Sequence, residues 1–198
     1  MRIRELILRN RSFRRFDESY RVSEKTLEIC VDLARCSPSA RNAQPIKYYL
    51  SIDKDQNERI FPTLAWAGYL KDWPGPAEGE RPTAYIVMLG DTRITTNYYC
   101  DHGIAAQSIL LGAVAQGLGG CIIAAVQREK LHKILQLPEY LEILQVIAIG
   151  KPAEKVKIEN IDDNGDYKYY RDDNDMHHVP KRTLSEIIVS GPAKRKKY

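Results

Sequence analysis

DHGIAAQSILLGAVAQGLGGCIIAAV, residues 101–126, is the stretch that decides the fold. Ten of the eighteen residues from 103 to 120 are Gly, Ala or Ser, and the run stays apolar up to Leu118. A helix this apolar on every side is expected to be buried all round, and its small side chains let other backbones approach closely. The Gly119-Gly120 pair then ends the helix, and residues 121–123 predict a strand. The stretch therefore predicts a central helix that leads directly into a sheet.

Hydrophobic periodicity on both sides of this stretch predicts alternating helices and strands. Ser23 has the side chain and the position of an N-cap for one of these helices. Such alternation indicates an α+β or α/β class with one main sheet covered by helices. Helices are expected at residues 3–9, 22–35, 56–64 and 128–135, strands at 46–52, 84–89 and 144–150, and a short terminal element at 185–189.

The length and the composition fit one soluble globular domain. The 198 residues are 43% hydrophobic and 28% charged, which is ordinary for such a domain. The formal net charge is +4, but residues 194–197 contribute four positive charges, so the rest of the chain is near neutral. A general polyanion-binding surface is therefore not expected. We predict a single domain over residues 1–189 and a basic, disordered tail over 190–198.

Cysteine usage and hydropathy indicate a reduced, cytoplasmic protein. The four cysteines show no CxxC spacing and lie in apolar or helical contexts. Residues 1–16 lack the apolar core of a signal peptide. Polar residues interrupt the apolar run at 101–126, so no membrane-spanning segment is expected.

The common motifs of catalytic and metal sites are missing from the sequence. There is no GxSxG, HExxH or P-loop pattern. GLGG at 117–120 follows a helix and precedes a strand, which is the reverse of a dinucleotide-binding turn. DDNGDY at 162–167 has Tyr167 where a calcium loop needs Gly. His177-His178 has no partners at metal-ligand spacing and is interpreted as a pair in a loop. We therefore expect no metal site.

Two polar segments offer groups that could hold a ligand. RSFRRF at 11–16 places two cations and a hydroxyl within four residues, and Arg matches phosphate geometry, although a solvated basic loop gives the same pattern. SPSARNAQP at 37–45 is bounded by prolines and carries hydroxyl and amide side chains as donors and acceptors. Together with the small-residue turn at 117–126, these segments would suit an organic cofactor that carries the chemistry itself.

Three aromatic residues lie in a loop that is rich in Gly and Pro, namely Trp66, Tyr69 and Trp73. Aromatic side chains in a loop can stack on a planar ligand, which makes them candidates for a substrate pocket. They can equally pin the loop to the body of the protein. The sequence leaves both interpretations open.

Four segments, taken in order, resemble the nitroreductase family of FMN-dependent oxidoreductases. They are RSFRRF at 11–16, SPSARNAQP at 37–45, GLGGCIIAAV at 117–126 and VPKRTLSEII at 179–188, and the resemblance covers residues 3–189. Each segment alone is weak, whereas the ordered set is specific. The resemblance implies an α+β, nitroreductase-like fold with a central, mostly antiparallel sheet covered by helices. It also implies a homodimer that completes the domain and holds two FMN molecules at its interface.

The resemblance further implies roles for eleven residues around FMN. Arg11, Ser12 and Arg14 match the motif that holds the phosphate and reaches the pyrimidine edge, where Arg14 would offset the charge at flavin N1 and O2. Pro38, Ser39, Ala40 and Asn42 match residues that line the flavin from the partner chain. Ala124 and Ala125 match positions whose backbone lies near flavin N5, and Lys181 and Arg182 match a basic pair that closes on the phosphate.

Three positions depart from the family pattern. Asn10 stands where many members have Arg, so phosphate binding would rely on Arg11 and the C-terminal basic pair. Ile46 stands where an aromatic residue is common, which changes one wall of the pocket. Ala124-Ala125 replaces a Gly-containing pair and changes the surroundings of flavin N5.

The implied reaction is hydride transfer from NAD(P)H to flavin N5 and then to a nitroaromatic, a quinone or a similar small acceptor. No side-chain acid or base is needed, so no catalytic residue is assigned. Alternatives within the family are a dehalogenase and a flavin-degrading enzyme. Outside enzyme function, the alternatives are a non-catalytic flavin-binding or structural dimer and a nucleic-acid binder that uses residues 194–197. That tail is short and lacks interleaved aromatics, so neither nucleic acid nor a membrane is expected as a partner.

Overall fold

A computed structural model describes residues 2–161 and 165–189. The contacts divide the chain into two compact units, Met1–Ala153 and Glu154–Tyr198, and each is described by itself. The single domain expected over residues 1–189 stays a prediction. The basic tail expected at 190–198 lies outside the described residues.

The sheet of the first unit is antiparallel at every pairing of its named strands. The strands are β1 (Phe16–Asp17), β2 (Ile46–Ser51), β3 (Ala84–Asp91), β4 (Gly119–Ile123) and β5 (Leu141–Pro152). They pair in the order β1-β5-β3-β2, and β4 also pairs with β5. Every residue of β3 is buried, as its continuous apolar run indicates for a central strand. The predicted α+β fold with a mostly antiparallel sheet is confirmed.

Helices pack on this sheet and mostly follow the predicted ranges. In the first unit they are α1 (Ile3–Arg9), α2 (Glu24–Arg35), α3 (Lys54–Ile60), α4 (Asp101–Ala115) and α5 (Arg128–Leu135). Ser23 caps α2 as predicted, since its Oγ accepts from the Thr26 N–H at 3.2 Å. The helix expected at 56–64 begins earlier, because Asp53 caps its first turn. It then tightens into a 3₁₀ turn at Phe61–Thr63.

The small side chains of α4 allow close packing against the core and α2. Ala106, Ile109 and Ala113 are fully buried, and a Cβ at Gly112 would come within 2.6 Å of Leu33 Cδ1 on α2. The prediction that this helix is buried all round is nevertheless wrong for a single chain, because one side of it is left uncovered. The exposed residues of α4 are Gly103, Ile104, Gln107 and Ala115.

The second unit contains a small three-stranded sheet. β8 (His177–Lys181) pairs in parallel with β6 (Val156–Asn160) and antiparallel with β7 (Tyr170–Arg171), and α6 (Leu184–Ile187) follows β8. In the described ranges of both units, no helix combines the length and the apolar character needed to cross a membrane.

The two adjacent histidines lie in a strand, so the prediction of a loop pair is wrong. Both belong to β8 and both are buried. His178 Nδ1 lies 2.8 Å from Glu159 Oε2, and its Nε2 lies 3.2 Å from Asp172 Oδ2. These two bonds raise the pKa of His178, because both favour the doubly protonated ring. Carboxylates from two other segments of the chain pair with this histidine, and the residue pattern of the strand itself does not show them.

Candidate functional site

The N-terminal basic segment lies along the edge of β4. The Phe13 N–H donates to the Gly120 carbonyl at 3.0 Å, and Ser12 forms a parallel bridge with Gly120. Gly119 is required for this approach, whereas Gly120 is required for the close pairing of β4 with β5. A Cβ on Gly119 would come within 2.4 Å of Phe13 Cδ2, and one on Gly120 would come within 2.4 Å of the Ala148 carbonyl oxygen. The missing side chain at Gly119 therefore determines how closely residues 11–14 approach β4.

Arg11 is a partly buried cation with an unused donor. Its Nη2 donates to the Ile7 carbonyl at 2.8 Å. Its Nε is buried and has no hydrogen-bond partner in the part of the chain that the structure describes. Burial lowers the pKa of this guanidinium, since desolvation disfavours the charged form. An anion beside Arg11 would satisfy both the donor and the charge. Arg14 lies nearby and donates from Nη1 to the Ser12 carbonyl at 3.3 Å.

The turn after β4 exposes two small residues, and hydrogen bonds to its carbonyl groups hold its backbone in place. Ala124 and Ala125 are both exposed. The Ala65 N–H donates to the Ala125 carbonyl at 2.9 Å. Arg128 Nη2 donates to the Ala124 carbonyl at 3.1 Å, and its Nε donates to the Ile143 carbonyl at 2.9 Å. Ser12 lies beside the start of β4 and Ala124 follows its end, so the structure brings these two predicted sets together along one strand.

Arg128 is a site-building residue that the sequence reasoning missed. It is the first residue of α5, where the helix dipole disfavours a cation. The only hint in the sequence that Arg128 has a structural role is this unfavourable position for a cation. The three carbonyls that it binds explain the placement, because they tie the turn at 124–125 to β5.

The loop at 37–45 is tied to α4 at two points. Ser39 Oγ donates to Asp101 Oδ2 at 2.6 Å, and Ser37 Oγ lies 2.7 Å from Ser108 Oγ. Pro38 and Asn42 are exposed, and Ala40 is half-buried. Of the four predicted residues of this loop, Ser39 and Ala40 bond directly to Asp101 at the start of α4.

Residues 11–14 and the loop at 37–45 lie on different sides of α4. Asn10, just before the basic segment, contacts Gln107 with its Nδ2 at 3.4 Å. Successive helical residues are rotated by about 100°, so Gln107 and Ser108 point in different directions. Exposed Ile104 lies between those directions. The two segments therefore reach α4 through side chains that point in different directions.

The aromatic loop begins beside the turn at 124–125, through a bridge between Leu64 and Val126. Trp66 is only 8% exposed, and its ring centroid lies 5.8 Å from that of Phe61. This packing fits the interpretation that it pins the loop. Tyr69 is exposed, and Trp73 lies 5.9 Å from the guanidinium of Arg15 and is half-buried. Contact of the three aromatic residues with substrate stays a prediction, and burial makes Trp66 the weakest candidate.

The C-terminal basic pair belongs to the second unit. Lys181 ends β8, and its carbonyl accepts from the Ile161 N–H at 3.0 Å. The Arg182 guanidinium pairs with the Glu186 carboxylate. Their expected contact with a phosphate stays a prediction.

A cavity of about 580 Å³ borders Arg128. Its walls carry charges of both signs, including Lys133, Glu129 and Glu142. Because these charges are mixed, the cavity does not favour a phosphate. The cations at 11–14 are the better candidates for holding an anion.

The chain resembles known proteins in both sequence and fold. It is 28% identical over 160 residues to a protein of Methanothermobacter thermautotrophicus that is provisionally named an NADH dehydrogenase/NAD(P)H nitroreductase, and the match covers 78% of this chain and 79% of the relative. An FMN-dependent nitroreductase of Clostridium difficile superposes with a TM-score of 0.65 at 22% identity, covering 85% of this chain and 98% of that one. The NADPH:FMN oxidoreductase of Vibrio harveyi, solved with NAD+, superposes with a TM-score of 0.63 at 22% identity. The match covers 81% of this chain and 73% of that one.

The family model of the Nitroreductase family matches residues 7–151, which include the basic segment, the 37–45 loop and the turn at 124–125. With the antiparallel sheet and the Gly119 contact at β4, this match identifies the chain as a member of the nitroreductase family.

Proposed function

We propose that this protein binds FMN and uses it to pass hydride from NAD(P)H to a small organic acceptor such as a nitroaromatic or a quinone. One observation carries the proposal: Arg11, whose buried Nε has no hydrogen-bond partner among the described residues, precedes Ser12, which bridges to the strand that leads to the open turn at Ala124 and Ala125. An anionic group at one end of a ligand and a flat group at the other would suit this arrangement.

The residues present fit the phosphate end of FMN. Arg11 and Arg14 supply fixed positive charge, and the hydroxyl of exposed Ser12 can donate to a phosphate oxygen. Arg14 would also offset negative charge on the pyrimidine edge of the ring. Lys181 and Arg182 are the proposed closing pair on the phosphate.

The turn at Ala124 and Ala125 fits the ring end. Small side chains let a planar ring approach the backbone, and the hydrogen bonds from Ala65 and Arg128 hold that backbone in place. FMN, when bound, supplies the hydride chemistry itself. The protein's part is to orient the ring, to provide positive potential and to leave one face open for NAD(P)H and then for the acceptor.

A second copy of the chain is part of the proposal. The exposed sides of α1, α2 and α4 carry large apolar residues, a pattern typical of interaction surfaces. These residues are Ile3, Ile7, Ile29, Leu33 and Ile104. If a second copy covers this face, its 37–45 loop can approach the basic segment of the first chain. We propose a homodimer in which Pro38, Ser39, Ala40 and Asn42 of each chain line the cofactor of the other.

Turnover with a panel of acceptors tests the reaction class. The FMN-loaded protein is mixed with NADH or NADPH and then with a nitroaromatic, a quinone, a halogenated aromatic or no acceptor. Oxidation of the reduced flavin by the nitroaromatic or the quinone supports the proposal. Halide release favours the dehalogenase alternative, and loss of flavin without acceptor turnover favours the flavin-degrading one. A flavin that no donor reduces would contradict the enzymatic proposal.

A further inference from the structure

The carboxylate of Asp101 is buried at the first turn of α4. Asp101 is only 5% exposed, and both its carboxylate oxygens accept hydrogen bonds from the 37–45 loop. Ser39 Oγ donates to Oδ2 at 2.6 Å, and the Ala40 N–H donates to Oδ1 at 2.9 Å. The helix dipole stabilises a negative charge at this position. Hydrogen bonds to a buried carboxylate are among the stronger ones in proteins, so this contact is a firm anchor.

The hydroxyl of Ser39 is used twice within the chain. It donates its single proton to Asp101 and accepts from the Gln44 N–H at 3.0 Å. The Ser39 carbonyl accepts from the Asn42 N–H at 2.9 Å. Ser39 therefore links Asp101 to the far end of the loop.

The loop that this network closes has an unusual backbone. Arg41, Asn42 and Gln44 have φ values of 54°, 54° and 53°. Residues other than Gly rarely adopt such left-handed conformations, and these persist only where surrounding contacts over-determine them. The bonds from Asp101 and Ser39 are such contacts. In this conformation all three residues are exposed.

We propose that Asp101 is a positioning residue that holds the 37–45 loop in the shape that contacts FMN on the partner chain. The inference rests on the proposed FMN function and deepens it. Asp101 acts through Ser39 and Ala40, because its oxygens point to those two residues. When a contact loop spends only part of its time in the competent shape, the apparent Kd rises by the inverse of that fraction. Loss of Asp101 should therefore weaken FMN binding without removing a contact to FMN.

The first experiment measures the FMN Kd by flavin fluorescence for Asp101→Ala, Asp101→Asn, Ser39→Ala and the Asp101→Ala/Ser39→Ala double variant. We expect Asp101→Ala to raise the Kd on the order of 10- to 100-fold, as for the loss of hydrogen bonds to a charged group. Asp101→Asn should recover part of the affinity, because it keeps an acceptor for Ala40. The double variant should lose less affinity than the two single losses combined, since both changes break one network.

Asp53→Ala is the matched control. Asp53 also supplies a carboxylate at a helix start, where it accepts from the Gln56 N–H at 2.8 Å. Its loss should weaken α3 and leave the FMN Kd within about twofold, since additivity holds for independent sites. Equal Kd changes in Asp53→Ala and Asp101→Ala would overturn the proposal, because they would indicate a general loss of stability.

The second experiment follows amide hydrogen exchange in the FMN-free protein. We expect the amides of Asn42 and Gln44 to exchange faster in Asp101→Ala, while the amides of β3 keep their protection. If the wild-type protein takes up FMN but Asp101→Ala changes neither the amide exchange nor the FMN Kd, the positioning role of Asp101 is overturned. The proposed function would then still stand. A wild-type protein that takes up no FMN would instead overturn the proposed function and this inference together.

Discussion

The ring of Phe13 occupies the space that a side chain on Gly119 would need: an added Cβ would lie 2.4 Å from Phe13 Cδ2. This contact places the basic segment on β4, because the Phe13 N–H also donates to the neighbouring Gly120 carbonyl. The position of the phosphate-binding candidates thus depends on a residue that has no side chain.

Gly119→Ala should displace Phe13 and with it the flanking Arg11 and Arg14. We expect a stability loss of about 1–3 kcal/mol, as is typical of overpacking, together with weaker FMN binding. Thermal unfolding and FMN titration measure the two effects. Gly103→Ala is the control, because nothing lies within 4 Å of a Cβ there, and it should stabilise α4 by about 0.5–1 kcal/mol. Equal FMN affinity in wild type and Gly119→Ala would show that the segment tolerates displacement.

Arg11→Ala should weaken FMN binding much more than riboflavin binding. If the partly buried guanidinium binds the phosphate, its loss removes a charge-assisted interaction of about 1.5–3 kcal/mol that riboflavin does not make. Titration with both flavins measures the difference. Arg35→Ala is the control, since Arg35 pairs with Asp32 on an exposed helix surface. A similar loss for riboflavin and FMN would place the phosphate elsewhere.

Ile104→Asp should convert the proposed dimer to a monomer and lower its FMN content. The substitution puts a charge on the exposed apolar side of α4, and burying an unpaired charge in an interface is unfavourable. Light scattering after gel filtration measures the mass. Ile94→Asp is the control, because Ile94 is 44% exposed against 38% for Ile104 but lies outside the helices. A wild-type monomer that binds FMN fully would contradict the need for a second copy.

The second unit should be most stable between mildly acidic and neutral pH. The bonds to His178 lower the pKa of Glu159, and the backbone N–H of Met176 and then His178 lower that of Asp172. This contribution is present above the ordinary carboxyl pKa values and is lost as pH falls through the lowered ones. The stabilisation that comes from the raised pKa of His178 is fully present below pH 6.5, the ordinary pKa of histidine. It is lost as pH rises through the raised pKa.

Amide protection factors of β8, which are exchange rates corrected for the intrinsic rate at each pH, measure this stability. Lys157, 3.5 Å from Glu159, and Tyr170, whose hydroxyl donates to Glu159 at 3.0 Å, also face this cluster. His178→Gln should remove the decline above neutral pH, whereas His132→Gln in α5 should leave it. Protection factors in β8 that do not change with pH around neutrality would contradict this account of His178.

Local patterns were sufficient to predict much of the fold. Local sequence patterns predict α2 and α5 from their apolar spacing and β3 from its continuous apolar run, because each pattern depends on residues close in sequence. The order of four weak segments was sufficient to identify the family. The two-residue strands β1 and β7 have no comparable signal, since pairing with distant strands alone defines them.

The contacts that build the candidate site could not be predicted from local patterns. Asp101 and Ser39 are separated by 62 positions, and nothing near either residue indicates that they meet. The burial of Trp66 against Phe61 depends on how the loop folds back, so the sequence could not separate pinning from stacking. The partners of His178 likewise come from two other segments of the chain.

The most direct test of the central claim is the visible absorbance spectrum of the purified protein after incubation with FMN and removal of free flavin, followed by NAD(P)H without oxygen. We expect a bound flavin spectrum that bleaches when NADH or NADPH is added and returns when a nitroaromatic or a quinone follows. A bound flavin that neither donor bleaches would contradict the oxidoreductase proposal. A protein that retains no FMN would contradict the assignment of Arg11, Ser12 and Arg14 to its phosphate.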